Sequence, residues 1–236
     1  ILTSLEKQDK RILPVGAAAD PVSRDWQDAG KAMMILQSDM AYELGGHNLP
    51  AVGNTLVTTG KDFVPEDEII LIGKDLPEIT EDTPYARIAL VRVAEDSIGT
   101  GDRLYNTIRN IGYFRYHIYP KGFMLRVSSS NDRESVRVEA EALNEGLNFT
   151  AIGNAMLRAL HLHKEVEAVK IIFVTDPKVD YGRLQDGLKK TKQITATIDH
   201  MLKDVNMDCG SCGLQEICDE IEGLREMHFG MSEEHT

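Results

Sequence analysis

The sequence has few of the features that mark secreted or membrane-bound proteins. Only three of its 236 residues are cysteines, and all three lie within residues 209–218, which excludes a disulfide framework. No apolar run approaches the roughly 18 residues that a membrane-spanning helix needs. The N-terminus lacks an initiator methionine and has no basic segment followed by an apolar core, so no signal peptide is predicted. We therefore expect a cytoplasmic protein in a reducing environment, without a membrane partner.

Positive charge is also scarce. The chain carries 26 Lys and Arg residues against 38 Asp and Glu residues, which gives a formal net charge of −12. Affinity for nucleic acid rests largely on the neutralisation of phosphates by a basic surface. The charge balance therefore argues against nucleic acid and against an anionic membrane surface. The length is sufficient for one large domain, or for one domain with an appendage.

Segments with the period of a strand alternate irregularly with segments that have the period of a helix. Strands are predicted at residues 51–57, 68–72, 87–93, 114–119, 122–127, 135–142 and 169–175. Helices are predicted at residues 23–42, 102–111, 149–163 and 181–202. This order predicts an α+β (mixed α/β) fold, in which helices flank a mixed sheet and residues 169–175 form a central strand.

The composition changes near residue 205, where we predict a boundary. Residues 1–205 would form the α+β domain, and residues 206–236 a short Cys-rich tail. In this tail Cys209 and Cys212 form a C-x2-C turn, and Cys218 follows after five residues. Two thiolates in such a turn converge on one metal ion or cluster, and the glycine after each of the first two cysteines permits the tight backbone.

The ligand set of this segment is incomplete. Iron–sulfur clusters commonly take four cysteines, so the fourth ligand of a [4Fe–4S] cluster would be His228, Asp208 or a group from outside the chain. Zinc is the alternative metal. Three inert surface thiols and a redox pair of Cys209 and Cys212 remain open as well.

Arginines are concentrated in the middle of this acidic chain. Guanidinium groups are suited to bidentate binding of phosphate or carboxylate, so these residues are candidates for an anionic cofactor or, alternatively, internal partners of the many acids. The six candidates are Arg87, Arg92, Arg103, Arg109, Arg115 and Arg126. His161 and His163 do not face each other on a helix and are interpreted as helix-end histidines rather than metal ligands.

Four segments occur in an order that resembles a known family. They are Ser38-Asp-Met-Ala-Tyr-Glu-Leu-Gly-Gly46, the D-E-I-I-L-I-G run at 67–73, Tyr119-Pro-Lys-Gly-Phe-Met-Leu-Arg126, and residues 169–176 before the long helix. With the cysteines after them, they resemble the middle region of acetyl-CoA synthase, the β subunit of the CO dehydrogenase/acetyl-CoA synthase complex, over about residues 35–205.

The resemblance implies a role in anaerobic one-carbon metabolism. Members of this family are acyltransferases that condense CO, a methyl group from a corrinoid iron–sulfur protein, and coenzyme A at a nickel site bridged to a [4Fe–4S] cluster. The resemblance implies as partners a CO dehydrogenase subunit and the corrinoid iron–sulfur protein. Arginines of the middle region are associated with coenzyme A in the family, which gives the six arginine candidates a role.

The chain also departs from the family pattern. Cys209 and Cys212 match the opening cysteine pair, but Cys218 comes early, and the sequence has neither a fourth cysteine nor a Cys-Gly-Cys motif. We therefore expect a related subunit that does not assemble the full nickel site in this chain alone. The alternative is a non-enzymatic docking module with a structural zinc or iron–sulfur site.

Overall fold

The computed structural model describes residues 5, 8–16, 34–46, 48–95, 102–112, 121–128 and 133–202. Of residues 102–106, 192 and 194–202 it describes the backbone only. Within these ranges the strands form one mixed sheet and one antiparallel sheet, with helices around them, so the predicted α+β class is confirmed.

The larger sheet, sheet A, has five strands in the order β1-β4-β8-β5-β3. The strands are β1 Arg11–Leu13, β3 Ala51–Thr58, β4 Glu68–Ile72, β5 Tyr85–Val93 and β8 Val166–Val174. β4 pairs with β8, and β3 with β5, in parallel, whereas β8 pairs with β5, and β1 with β4, in the antiparallel sense. The sheet is therefore mixed, and β8 is its central strand, as predicted for residues 169–175.

The smaller sheet, sheet B, is antiparallel in the order β2-β7-β6. Its strands are β2 Met40–Leu44, β6 Phe123–Val127 and β7 Glu134–Glu139. In β7, Val136 and Val138 are fully buried, whereas Arg137 between them is only half-buried. The alternation gives sheet B one apolar face on the core and one polar face.

The described helices are α1 Asp102–Gly112, α2 Ala140–Asn144, α3 Phe149–Leu160 and α4 Tyr181–Leu202, with a short 3-10 helix at Leu76–Glu78. Asn148 caps α3, because its side chain accepts a hydrogen bond from the backbone N–H of Ala151 at 2.9 Å. The helices predicted at residues 102–111, 149–163 and 181–202 are therefore confirmed.

The core joins the two sheets through the first residue of α3. The ring of Phe149 stacks on Phe173 of β8, with 4.5 Å between the ring centroids, and on Tyr85 of β5 at 6.5 Å. Phe123 of β6 meets the same ring edge-on at 6.3 Å. Sheet A and sheet B thus share one hydrophobic core with the apolar face of α3.

The helix predicted at residues 23–42 is wrong in its described part. Residues 34–39 are irregular and turn, and Met40–Leu44 form strand β2. The helical spacing relied on Leu36 and Met40, but Leu36 is 54% exposed, whereas Tyr42 and Leu44 are buried with strand alternation. Pairing with β7 satisfies the backbone of this segment and overrides its helical period. Residues 17–33, and the strand predicted at 114–119, lie outside the described residues.

The chain divides into two units, Ile1–Leu184 and Gln185–Thr236. The first contains both sheets and helices α1 to α3, and the second begins within α4. The boundary predicted near residue 205 and the tail 206–236 lie outside the described residues. Among the described helices, none is both long and apolar enough to cross a membrane.

Candidate functional site

The polar face of sheet B forms the floor of a cavity of about 520 Å³. Side chains from each strand of this sheet reach it, and the rest come from the segments on either side of β2 and from those just before β5 and β7. The lining residues are Gln37, Met40, Glu43, Gly45, Gly46, Asp82, Arg126, Arg133, Ser135 and Arg137. We call this cavity the arginine pocket.

Strand register brings the charged groups of the pocket together. Glu43 of β2 is paired directly with Arg137 of β7, and Arg126 of β6 is paired with Ser135 of β7. Side chains opposite one another on neighbouring strands lie within contact distance, and diagonal neighbours remain within reach of long side chains. Two arginines and one glutamate therefore meet on a single face.

Glu43 links two of the arginines. Its Oε1 accepts hydrogen bonds from Nη1 of Arg126 at 2.7 Å and from Nε of Arg137 at 2.9 Å. The Glu43 side chain is only 12% exposed, whereas Arg137 is 26% and Arg126 46% exposed. Among these three side chains, exposure to solvent thus falls from Arg126 to Arg137 and is lowest at the Glu43 carboxylate.

Main-chain carbonyls hold the other guanidinium contacts. Nη2 of Arg133 donates to the carbonyl oxygens of Gly45 at 2.8 Å and Gly46 at 2.7 Å, just after β2. Nη1 of Arg137 donates to the carbonyl oxygen of Ile35 at 3.1 Å, before β2. Arg133 and Arg137 are therefore positioned by the backbone that flanks β2.

The pocket is locally cationic in an acidic protein. Arg126, Arg133 and Arg137 face two carboxylates, those of Glu43 and Asp82, and Asp82 accepts the backbone N–H of Glu43 at 2.7 Å. Burial would raise the pKa of Glu43, but the hydrogen bond from Arg137 and the charge of Arg126 outweigh burial and hold that pKa below its ordinary value. Glu43 is therefore a carboxylate near neutral pH, and the described lining side chains carry three guanidinium groups against two carboxylates.

Arg87 forms a pair of a different kind. Its Nε and Nη2 donate to Oε1 and Oε2 of Glu134 at 2.6 and 2.7 Å, and both side chains are fully buried. Burial opposes the charged form, yet Glu134 outweighs burial and raises the pKa of Arg87. The pair connects β5 of sheet A to β7 of sheet B, so a ligand of Arg87 would have to displace Glu134.

A glycine makes room for this buried pair. A Cβ on Gly53 of β3 would overlap the carboxylate of Glu134, which real Cβ contacts essentially never do. Gly53 is paired with Arg87 in the register of β3 and β5. The absence of a side chain at residue 53 therefore lets the carboxylate reach its arginine.

The remaining predicted arginines are spread over the molecule. Arg92 donates to the carbonyl oxygens of Val64 at 2.7 Å and Pro65 at 3.0 Å, and to Glu167 at 3.1 Å. Arg109 is exposed in the last turn of α1. The Arg103 side chain and the whole of Arg115 lie outside the described residues. Of the four candidates whose side chains the structure describes, one, Arg126, lines the pocket.

Sequence reasoning missed Arg133 and Arg137. The six candidates were selected by their density along the chain, which ends at Arg126, rather than by the strand faces they occupy. The available signal was the alternation of residues 135–138, in which a serine and an arginine share the face opposite two valines. Pairing of Arg126 with this face through the β6–β7 register is a tertiary fact that no single-sequence pattern supplies.

The predicted metal ligands cannot be placed. Cys209, Cys212, Cys218 and His228 lie outside the described residues, so the metal site stays a prediction. Within the described ranges, no group of three or more His, Cys, Asp or Glu side chains is arranged to hold a metal ion. His161 directly follows α3 and its Nε2 lies 2.9 Å from Oδ2 of Asp67, which agrees with its interpretation as a helix-end histidine.

These features define an α+β domain that carries an arginine-lined pocket on its smaller sheet. Residues 27–179, well over half of the chain, match the family of the CO dehydrogenase/acetyl-CoA synthase complex beta subunit. The chain therefore belongs to this family, and the resemblance found in the sequence is confirmed. Every residue that lines the pocket lies within the matched range. Among curated proteins, none matches the chain.

Proposed function

We propose that the chain serves as a β-subunit-type component of a cytoplasmic, anaerobic CO dehydrogenase/acetyl-CoA synthase complex and that its arginine pocket receives the phosphate groups of coenzyme A. The reaction served would be the condensation of CO, a corrinoid-borne methyl group and the thiol of coenzyme A into acetyl-CoA. The partners would be a CO dehydrogenase subunit and a corrinoid iron–sulfur protein. The observation that carries the proposal is the locally cationic pocket within the family-matched part of an acidic chain.

The chemistry of the pocket suits this ligand. Coenzyme A carries a pyrophosphate and a ribose phosphate, and guanidinium groups bind phosphate oxygens through paired, charge-assisted hydrogen bonds. Arg133 and Arg137 are anchored by main-chain carbonyls, so little side-chain freedom is lost when they bind. Arg126 is more exposed than Glu43, to which it donates a hydrogen bond, and than Arg137, which donates to the same carboxylate, and it would therefore meet the ligand first. A cavity of about 520 Å³ is within the usual range for a small-molecule site.

The test compares coenzyme A with a fragment that has no phosphate. Calorimetric titration of the full chain with coenzyme A should give saturable binding, whereas pantetheine, which lacks every phosphate, should give none. Binding should weaken as salt is added, because the phosphate contacts are electrostatic. Equal binding of both compounds would show that the arginines are not what holds the ligand, and no binding of either would remove coenzyme A from the proposal.

We further infer that the Cys-rich segment binds an iron–sulfur cluster, preferably [4Fe–4S]. The support is the C-x2-C-x5-C spacing of Cys209, Cys212 and Cys218 together with the family, and a cluster would supply redox chemistry or a bridge to a further metal. Anaerobically purified protein should contain iron and acid-labile sulfide that are lost in Cys209→Ser. Stoichiometric zinc without sulfide would instead support the docking module, and absence of both would leave the thiols without a metal.

A further inference from the structure

We propose that Glu43 is the built-in counter-ion of the arginine pocket, so that an anionic ligand must compete with this carboxylate for Arg126 and Arg137. The idea deepens the proposed function, since it concerns how the same pocket selects its ligand. Its own content is narrower: Glu43 restrains anion binding, and it is not needed to hold Arg133 and Arg137 in place.

The Glu43 carboxylate lies between two arginines of the pocket. A single oxygen, Oε1 of Glu43, accepts from both Arg126 and Arg137, at 2.7 and 2.9 Å. These distances are those of charge-assisted hydrogen bonds, which are also the bonds that a phosphate oxygen would make. Glu43 therefore occupies the donors that a ligand needs.

Arg133 and Arg137 are also held by main-chain carbonyls, independently of Glu43. Arg137 keeps its bond to the carbonyl oxygen of Ile35, and Arg133 keeps its bonds to Gly45 and Gly46, whether or not residue 43 is charged. The β2–β7 register that places Arg137 opposite residue 43 is a backbone property. A neutral residue at position 43 would thus leave at least two guanidinium groups where they are.

The charge of Glu43 also acts on any anion that enters the pocket. The Glu43 side chain is 12% exposed, and charges at partly buried positions interact more strongly than charges in bulk water. A carboxylate this close to the binding groups opposes every incoming negative charge, so a monoanion gains little from the pocket. A group with two or more negative charges gains more from the guanidinium groups than a monoanion does, so it competes better with Glu43. The pocket is therefore expected to prefer polyanionic phosphates.

The experiment titrates inorganic pyrophosphate, and separately coenzyme A, into the full chain and into Glu43→Gln. Glutamine keeps the length and one acceptor oxygen of glutamate but removes the charge. The expected result is pyrophosphate binding about tenfold tighter in Glu43→Gln than in the unsubstituted chain. The matched control is Glu167→Gln, which removes an acidic partner of Arg92 outside the pocket and changes the net charge by the same amount. It should leave pyrophosphate affinity unchanged.

The outcomes separate this inference from the proposed function. Tighter pyrophosphate binding without any coenzyme A binding would support the counter-ion and reject coenzyme A as the ligand. Coenzyme A binding that is unchanged or weaker in Glu43→Gln would reject the counter-ion and keep the proposed function. An equal gain in pyrophosphate affinity in Glu167→Gln would show that the effect comes from net charge alone, and it would overturn the inference. If neither the unsubstituted chain nor Glu43→Gln bound pyrophosphate or coenzyme A, both proposals would be overturned.

Discussion

Two arginine–glutamate clusters in this protein have the same chemical groups and opposite surroundings. Arg87 and Glu134 are fully buried between sheet A and sheet B, and each carboxylate oxygen of Glu134 accepts a hydrogen bond from the guanidinium group of Arg87. Arg126, Arg137 and Glu43 lie on the outer face of sheet B around a cavity. The comparison shows that burial, rather than residue type, separates an arginine that joins two sheets from one that is accessible from solvent.

The energetic reason lies in desolvation. A buried pair has given up its hydration, so the loss of one partner leaves an uncompensated charge in the core. A partly exposed pair keeps part of its hydration and contributes little to stability. The loss of one partner is therefore expected to cost more stability between the two sheets than at the pocket.

The largest effect on stability is expected when the buried carboxylate of Glu134 is neutralised. Glu134→Gln should lower the free energy of unfolding by about 3–5 kcal/mol, because Arg87 would remain charged and buried without its partner. Urea denaturation followed by circular dichroism measures the loss. The double variant Arg87→Met/Glu134→Leu should lose less than the single variant. A loss of unfolding free energy below about 1 kcal/mol in Glu134→Gln would mean that the pair is not excluded from water in the way its burial indicates.

A second test removes the space that the buried pair needs. Gly53→Ala should destabilise the protein by about 1–3 kcal/mol, since the new methyl group would overlap the Glu134 carboxylate and force it away from Arg87. Thermal denaturation reports the change. Gly112→Ala, at the end of α1, is the matched control, because a Cβ there meets no described heavy atom within 4 Å. Equal effects at both glycines would count against the packing argument.

A third test moves the same substitution to the pocket. Glu43→Gln should change the free energy of unfolding by about 1 kcal/mol or less near neutral pH, because its arginine partners remain hydrated. Arg137 and Arg126 lower the pKa of Glu43 against the opposing effect of burial, so its stabilising effect is present above the ordinary value of 4.5 and disappears as the pH falls through the lower folded-state pKa.

Urea unfolding at a series of pH values checks that direction. The difference between the unsubstituted chain and Glu43→Gln should be constant near neutral pH and shrink only in acid. A difference that instead grows as the pH falls would contradict the assigned pKa shift of Glu43.

The smallest effect is expected at an exposed pair. Glu167→Gln leaves Arg92 with two main-chain acceptors, and the Glu167 side chain is 41% exposed. Its unfolding free energy should change by less than about 0.5 kcal/mol. The variant thus sets the baseline for neutralising a carboxylate. A loss of unfolding free energy as large as that of Glu134→Gln would mean that burial does not determine how much each pair contributes to stability.

Much of the fold could be predicted because strand and helix periods were consistent with tertiary packing. The central strand β8 and helices α3 and α4 show strong periodicity and formed where expected. β2 did not, because a three- and four-residue spacing through Leu36 and Met40 coincided with a short strand whose pairing with β7 decides its conformation.

The candidate site was predictable only in part. A concentration of arginines in an acidic chain predicted either anion binding or internal pairing with the acids. The sequence could not distinguish Arg87 from Arg126 in this respect, since both lie in or beside apolar strands. The distinction depends on which partner a register places opposite each residue: Gly53 opposite Arg87, and Ser135 opposite Arg126. Such cross-strand pairs are set by the assembled sheets and not by local pattern.

The most direct measurement of the central claim is calorimetric titration of coenzyme A into Arg126→Gln, beside the control Arg158→Gln. Arg158 is an exposed arginine of α3 that does not line the pocket, so both variants lose one positive charge. Coenzyme A should bind at least about fivefold more weakly to Arg126→Gln but not to Arg158→Gln, and the melting temperature should be unchanged in both variants. Equal affinities in the two variants would contradict the assignment of the pocket as the ligand site.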